Sequence, residues 1–169
     1  NEEEQSLKGT FRLAVLPTIA PYLLPRFFQQ LSEKHTDLDI RMLEMKTAPT
    51  MAALQNGEID AAIIANQPTE SYLQGDILYY EQFFGYVAHN ESIFKKDLIR
   101  TADINDERLW LLDEGHCFRD QLMRFCQMEK VKVRQAAYRL GSLETFMRMV
   151  ESGNGITFIP ELATLQLSK

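Results

Sequence analysis

The 169-residue chain is predicted to fold as a two-lobed α/β protein, and three observations carry that expectation. Strand-like and helix-like periodicities alternate from Phe11 to Ala65 in the order βαβαβ. The last strand of that series, Ile59-Asp60-Ala61-Ala62-Ile63-Ile64-Ala65, is apolar almost throughout, the pattern of a parallel strand covered on both faces. The alternation then restarts, which places residues 1–81 in lobe I, behind a charged lead, and residues 82–169 in lobe II.

Each element has its own signal. Phe11-Arg12-Leu13-Ala14-Val15-Leu16 reads as a strand, and Pro17-Thr18 leads into an amphipathic helix from about Ala20 to Lys34 with Pro21 and Pro25 near its start. Thr18 therefore stands at a helix mouth. Leu38 to Leu43 alternates as a second strand, and Thr47-Ala48-Pro49 opens a helix through Gln55 that Gly57 can end. Thr47 is placed as Thr18 is. Both threonines have the residue type of a helix N-cap, a role that needs no ligand. Asp76 to Tyr80 and Phe83 to Ala88 read as two further strands around Glu81-Gln82.

In lobe II, Leu109-Trp110-Leu111-Leu112 is a short strand that delivers the chain into Asp113-Glu114-Gly115-His116-Cys117. A helix is expected from Phe118 to Met128, because Phe118, Leu122, Phe125 and Cys126 fall on one apolar face at i, i+4, i+7 and i+8. Val131 to Tyr138 reads as a strand, Ser142 caps a helix from Leu143 to about Ser152, and Gly153-Asn154-Gly155 turns into the strand Ile156-Thr157-Phe158-Ile159 before Pro160.

Composition excludes several classes. With 45% apolar and 25% charged residues the chain is an ordinary globular one, and no apolar run reaches the ~18 residues of a bilayer span. The start, Asn1-Glu2-Glu3-Glu4-Gln5-Ser6, lacks the basic and apolar regions of a signal peptide, so a cytoplasmic protein with no membrane partner is expected. Net charge is −6 and no Lys/Arg cluster forms a nucleic-acid footprint, so the chain by itself is not expected to bind DNA. His35, His89 and His116 accompany two cysteines at a C-x8-C spacing that is unusual for zinc; neither metal nor cofactor is expected.

Both cysteines lie in Gly115-His116-Cys117-Phe118-Arg119-Asp120-Gln121-Leu122-Met123-Arg124-Phe125-Cys126. Cysteines in a cytosolic chain are seldom structural staples. Cys117 sits just before the expected helix, at its N-terminus, where exposed N–H groups together with His116 and Arg119 favour a thiolate, while Asp113, Glu114 and Asp120 oppose it. If the segment is helical, Cys117 and Cys126 stand about 13 Å apart on opposite sides of the helix. A disulfide requires Cα atoms within about 7 Å, so joining the two would require the helix to unwind. Two inert core cysteines remain the alternative from the residues alone, with His116 a solvated loop residue.

These residues resemble a known family. The glycine-histidine-cysteine segment with its second cysteine and Arg119-Asp120 resembles the redox segment of the peroxide-sensing LysR-type transcription regulators. Leu16 to Pro25, Leu54-Gln55-Asn56-Gly57-Glu58-Ile59-Asp60, and Ser142 through Thr157 with Pro160 resemble the effector-domain pattern of LysR-type regulators, so that the likeness covers about Lys8 to Leu165.

The resemblance implies two Rossmann-like lobes of the periplasmic-binding-protein type with a cleft. It implies Cys117 as the peroxide-reactive cysteine, Cys126 as its resolving partner in a reversible disulfide, and Thr18, Thr47 and His116 as peroxide-binding residues. It also implies a bacterial activator, not an enzyme, whose partners are hydrogen peroxide, further copies of itself as homodimer or homotetramer, cellular dithiol reductants, and in the full-length protein RNA polymerase and DNA. DNA would be bound through a winged helix-turn-helix domain absent from this sequence. Two departures accompany the likeness: Asn1-Glu2-Glu3-Glu4 looks like a linker remnant, and the chain stops at Leu167-Ser168-Lys169, short of the family's returning C-terminal segments and their arginine near the peroxide site. A lobe shortened at the C-terminus is therefore expected. A LysR-type effector domain that binds a small anionic metabolite at the helix mouths of Thr18, Thr47 and Ser142, with non-redox cysteines, is the main alternative. A thiol peroxidase is a further one, against which stands the missing proline-threonine-cysteine motif of peroxiredoxins.

Overall fold

The computed structural model describes residues 8–104, 106–113, 115–125 and 141–167. Cys126, the helical residues expected beyond it and the strand expected over Val131 to Tyr138 lie outside the described residues. The chain divides into two compact units, Asn1–Gly75 and Asp76–Lys169.

The first unit is a βαβαβ series. Strand β1 (Gly9–Val15), helix α1 (Ala20–Lys34), strand β2 (Leu38–Glu44), helix α2 (Thr47–Gln55) and strand β3 (Ala61–Ile63) follow in order. The three strands form a parallel sheet in the order β2-β1-β3, with Gly9 opposite Leu38 and Leu13 opposite Ala61. Parallel neighbours need crossover connections, and α1 and α2 supply them. The central position of β1 accounts for the burial of Leu13, Ala14 and Val15 at its C-terminal end. Ala14, Ala53 and Ile59 form a small core with Met45, Leu54 and Ala62 against it.

The strand expected over Ile59–Ala65 is shorter, three residues, and half-buried rather than fully covered. Just before it, Asp60 meets Arg12 through two hydrogen bonds, its N–H donating to the Arg12 carbonyl at 2.9 Å and its carboxylate accepting the Arg12 N–H at 2.7 Å.

In the second unit, strand β4 (Phe83–Val87) pairs antiparallel with β5 (Ile156–Pro160), Phe83 opposite Pro160 and Val87 opposite Ile156. Helices α3 (Cys117–Phe125), α4 (Leu143–Glu151) and α5 (Glu161–Thr164) complete it, with single 3₁₀ turns at Thr101–Asp103 and Asp106–Arg108. Ser142 caps α4 as its residue type predicts, its hydroxyl accepting the Thr145 N–H at 3.2 Å. The core gathers Leu109, Trp110, Leu111 and Leu112 with Phe118 and Leu122 of α3, Phe146 and Val150 of α4, and Ile156 and Phe158 of β5. Trp110 stacks on Phe146 and donates its indole N–H to the Asn154 carbonyl at 2.7 Å.

Two expected strands are absent as strands. Leu109–Leu112 makes one bridge, Leu109 to Ile156, and the Trp110 N–H reaches the Ile156 carbonyl at 2.8 Å. The next acceptor is diverted, since the Thr157 hydroxyl donates to the Trp110 carbonyl at 3.0 Å and occupies the place of a ladder N–H. Asp76–Tyr80 is irregular and leaves Ile77, Leu78, Tyr79 and Tyr80 exposed. An alternating apolar pattern makes a strand only where a neighbour satisfies its backbone, and among the described residues none pairs there. Just beyond, Glu81 and Gln82 are tied to α5: Leu162 N–H donates to the Glu81 carboxylate at 2.8 Å and Glu161 N–H to the Gln82 carbonyl at 3.0 Å. Burial raises the pKa of Glu81, the Leu162 N–H opposes this, and the neighbouring Glu161 charge adds to it.

Candidate functional site

The turn into α3 is built by Gly115, whose φ of 89° an L side chain rarely adopts. This bend puts His116 and Cys117 side by side, at 8% and 7% exposure, with Cys117 the first residue of the helix. His116 Nε2 lies 3.3 Å from Asp113 Oδ1, which orients the imidazole. The His116 carbonyl accepts the Asp120 N–H at 3.3 Å, the first turn of α3, and Arg119 Nη1 donates to the Leu112 carbonyl at 3.3 Å. The N–H groups of the opening turn have no intrahelical acceptor and favour negative charge at this end of the helix. The helix N-terminus favours a thiolate at Cys117, while burial opposes it.

Phe118 and Leu122 anchor α3 in the core of the second unit, whereas Phe125 is 65% exposed. The apolar face expected at Phe118, Leu122 and Phe125 is therefore limited to its first two members. At i+7 the helix has turned 20° short of two full revolutions, and the core residues seat only its N-terminal part.

Thr18 and Thr47 belong to the first unit, His116 and Cys117 to the second. Neither threonine is the N-cap its residue type suggested. The cap of α1 is Ile19 and that of α2 is Lys46, neither with a side-chain cap bond. Thr18 is buried in the turn after β1, where the Leu16 carbonyl accepts the Ile19 and Ala20 N–H groups. Thr47 is the first residue of α2; its Oγ1 is buried and has no hydrogen-bond partner among the described residues. An orphaned buried hydroxyl is costly, so Thr47→Val, which keeps the shape, is expected to leave stability unchanged or raise it by about 1 kcal/mol. Urea unfolding checks this; a loss of that size would mean the hydroxyl is satisfied in solution.

His116 is buried and held by Asp113, not a solvated loop residue. The Asp113 contact was legible in principle, since a carboxylate three residues ahead of a histidine across a glycine turn can reach it. A second feature carried no sequence signal: Phe83 of β4 meets Phe118 edge-on, with ring centroids 4.9 Å apart and planes at 83°. Among the described residues no group of three or more His, Cys, Asp or Glu side chains could hold a metal ion, and no helix is long and apolar enough to cross a membrane.

Residues 4–168 match the LysR substrate binding domain. A probable hydrogen peroxide-inducible genes activator of Mycobacterium leprae is 35% identical over 162 residues, which cover 95% of this chain and 52% of the relative. The DNA-binding transcriptional dual regulator OxyR of Escherichia coli K12 is 30% identical over 164 residues, 96% of this chain and 53% of the relative. The chain thus spans about half the length of these relatives. Among solved structures, OxyR from Porphyromonas gingivalis superimposes with a TM-score of 0.86 at 56% identity, over 95% of this chain and 73% of that one. The reduced OxyR regulatory domain from Pseudomonas aeruginosa gives 0.84 at 31% identity, over 97% and 78%. The mixed α/β architecture, the family match along nearly the whole chain and these likenesses agree: the chain belongs to the LysR substrate binding domain family, within its OxyR group.

Proposed function

We propose that this chain is the peroxide-sensing regulatory part of a bacterial cytoplasmic transcription activator, and that Cys117 is its sensor. The observation that carries the reading is the position of Cys117, buried beside His116 at the first residue of α3. The Cys117 thiolate attacks one peroxide oxygen, the O–O bond breaks, and hydroxide leaves as Cys117 becomes a sulfenic acid. The Cys126 thiol then attacks that sulfur and water leaves, giving a disulfide. Thr18, Thr47 and His116 are the proposed hydrogen-bonding partners of the peroxide, since each carries a side chain that can donate to or accept from its oxygens.

A helix from 117 to 126 cannot coexist with that bond, so oxidation unwinds α3 and moves Phe118 and Leu122 out of their seats. The repacking alters contacts between copies of the protein, a homodimer or homotetramer, and through the whole regulator its hold on DNA and RNA polymerase. Sensing is stoichiometric, and a disulfide formed at the expense of a packed helix is readily reversed by cellular dithiols, which become oxidised in exchange.

Cysteine variants test the assignment. Cys117→Ser is expected to react with peroxide at least about 100-fold more slowly, because the thiolate is the nucleophile. Cys126→Ser is expected to keep the first step and stop at a sulfenic acid that dimedone traps. Equal rates in Cys117→Ser and the parent protein would overturn the assignment.

A further inference from the structure

We infer that Phe83 is a positioning residue for the redox change: its edge-on contact with Phe118 holds the start of α3 in the helical, reduced arrangement and so sets how readily the disulfide forms. The inference rests on the reading of Cys117 and Cys126 given above.

The two rings belong to parts of the second unit that differ in how they are held. Phe83 opens β4 and is fixed from several directions. It pairs with Pro160, its neighbour Gln82 receives the Glu161 N–H at 3.0 Å and donates its own N–H to the Glu161 carboxylate at 3.3 Å, and Glu81 receives the Leu162 N–H. Nothing in that set depends on α3. Phe118, by contrast, follows Cys117 directly and is buried to 5% exposure. Its ring meets the Phe83 ring at 4.9 Å and 83°, the edge-to-face geometry in which the positive rim of one ring faces the negative face of the other.

The redox step acts on this contact from one side. Were α3 to continue by one residue to Cys126, the two cysteines would point about 180° apart, and their Cα atoms would have to close from about 13 Å to within about 7 Å. To face Cys126 the Cys117 sulfur must swing through about half a turn, and Phe118 is the next residue. An aromatic pair keeps its attraction only while the centroids stay within about 7 Å, so Phe118 leaves Phe83 as the sulfur turns. The contact therefore stabilises the dithiol form and is missing from the disulfide form. Phe83 itself is 37% exposed, so its truncation opens no sealed cavity.

The sign follows. With Phe83→Ala the reduced form loses a stabilising contact and the oxidised form loses none, so the disulfide becomes easier to form and harder to reduce. The test equilibrates the 169-residue chain with graded mixtures of reduced and oxidised glutathione and measures the ratio of Cys117–Cys126 disulfide to dithiol by mass spectrometry. In that exchange the two protein thiols give their electrons to oxidised glutathione, which leaves as two reduced molecules. Phe83→Ala is expected to raise the ratio about tenfold at every buffer setting, a midpoint about 30 mV more negative. Phe83→Leu, which keeps apolar volume but not the ring edge, is expected to raise it about threefold, and Phe83→Tyr to restore the parent ratio. Phe146→Leu, in the same core but stacked on Trp110, serves as control and should move the ratio by less than about twofold.

An unchanged ratio in Phe83→Ala overturns the inference, as would closure of the gap from the Cys126 end alone, which leaves the contact intact in both states and the ratio unmoved. A shift in Phe146→Leu as large as in Phe83→Ala also overturns it, since general softening of the core would then explain both. A parent protein that forms no Cys117–Cys126 disulfide contradicts the proposed function instead, so the two failures are distinct.

Discussion

Treatment with one equivalent of peroxide is expected to strip slow hydrogen exchange from the amides of residues 121–125, by at least about tenfold, while leaving Leu13, Ala14 and Val15 of β1 unchanged. In the reduced chain the amides of 121–125 lie within α3, whose first i to i−4 bond is the Asp120 N–H to the His116 carbonyl. Phe118 and Leu122 supply the packing that keeps this short helix closed, since nine residues would not hold a helix in water unaided. Burying each such side chain stabilises by about 1.5–3 kcal/mol, so removing both from their seats costs on the order of several kcal/mol, which the reduction of peroxide readily offsets. Exposed Phe125 contributes little to that cost. Protection that persists in fully oxidised protein would mean that the chemistry at Cys117 does not refold α3.

The largest loss of stability is expected for Gly155→Ala. Gly155 has a φ of 82°, and a Cβ there would press into the Arg108 carbonyl oxygen and stand 2.9 Å from Trp110 Nε1. The first obstacle is backbone and cannot yield alone. Arg108 is held by Glu91, whose carboxylate also accepts the Gly155 N–H at 3.1 Å, and the Gly155 carbonyl accepts the Ala88 N–H at 2.9 Å. Relief would have to part the Leu109–Ile156 bridge or turn Trp110 away from the Asn154 carbonyl. Left-handed strain and the clash together are expected to cost roughly 3 kcal/mol or more, read as a lower urea midpoint at an unchanged slope. A loss below about 1 kcal/mol would mean that the turn before β5 adapts.

What the sequence discloses depends on whether the signal is local. Helix α1 begins and ends where periodicity and Pro21 place it, α2 stops before Gly57, and Ser142 caps α4, because each boundary is decided by residues within one turn of it. Strands are less legible since their existence rests on a partner. Ile77 to Tyr80 has the composition of a strand but no neighbour to pair with among the described residues, and at Leu109–Leu112 the Thr157 hydroxyl donates to the Trp110 carbonyl where a ladder N–H would.

The site shows the same division. The turn at Gly115, the helix that starts at Cys117 and the neighbouring His116 are all contained in one segment and can be read from it. The burial of His116, the unpartnered hydroxyl of Thr47 and the meeting of Phe83 with Phe118 depend on packing and emerge only from the fold. Thr18 and Thr47 illustrate the limit best: their type suggests caps, yet Ile19 and Lys46 occupy the cap positions, neither with a side-chain cap bond.

Oxidation is proposed to join Cys117 to Cys126. A peptide map of protein exposed to a single equivalent of peroxide tests it most directly. One Cys117–Cys126 disulfide is expected, formed in nearly stoichiometric yield and removed by dithiothreitol. Cys117 carried onward to sulfinic acid while Cys126 stays a thiol would contradict it.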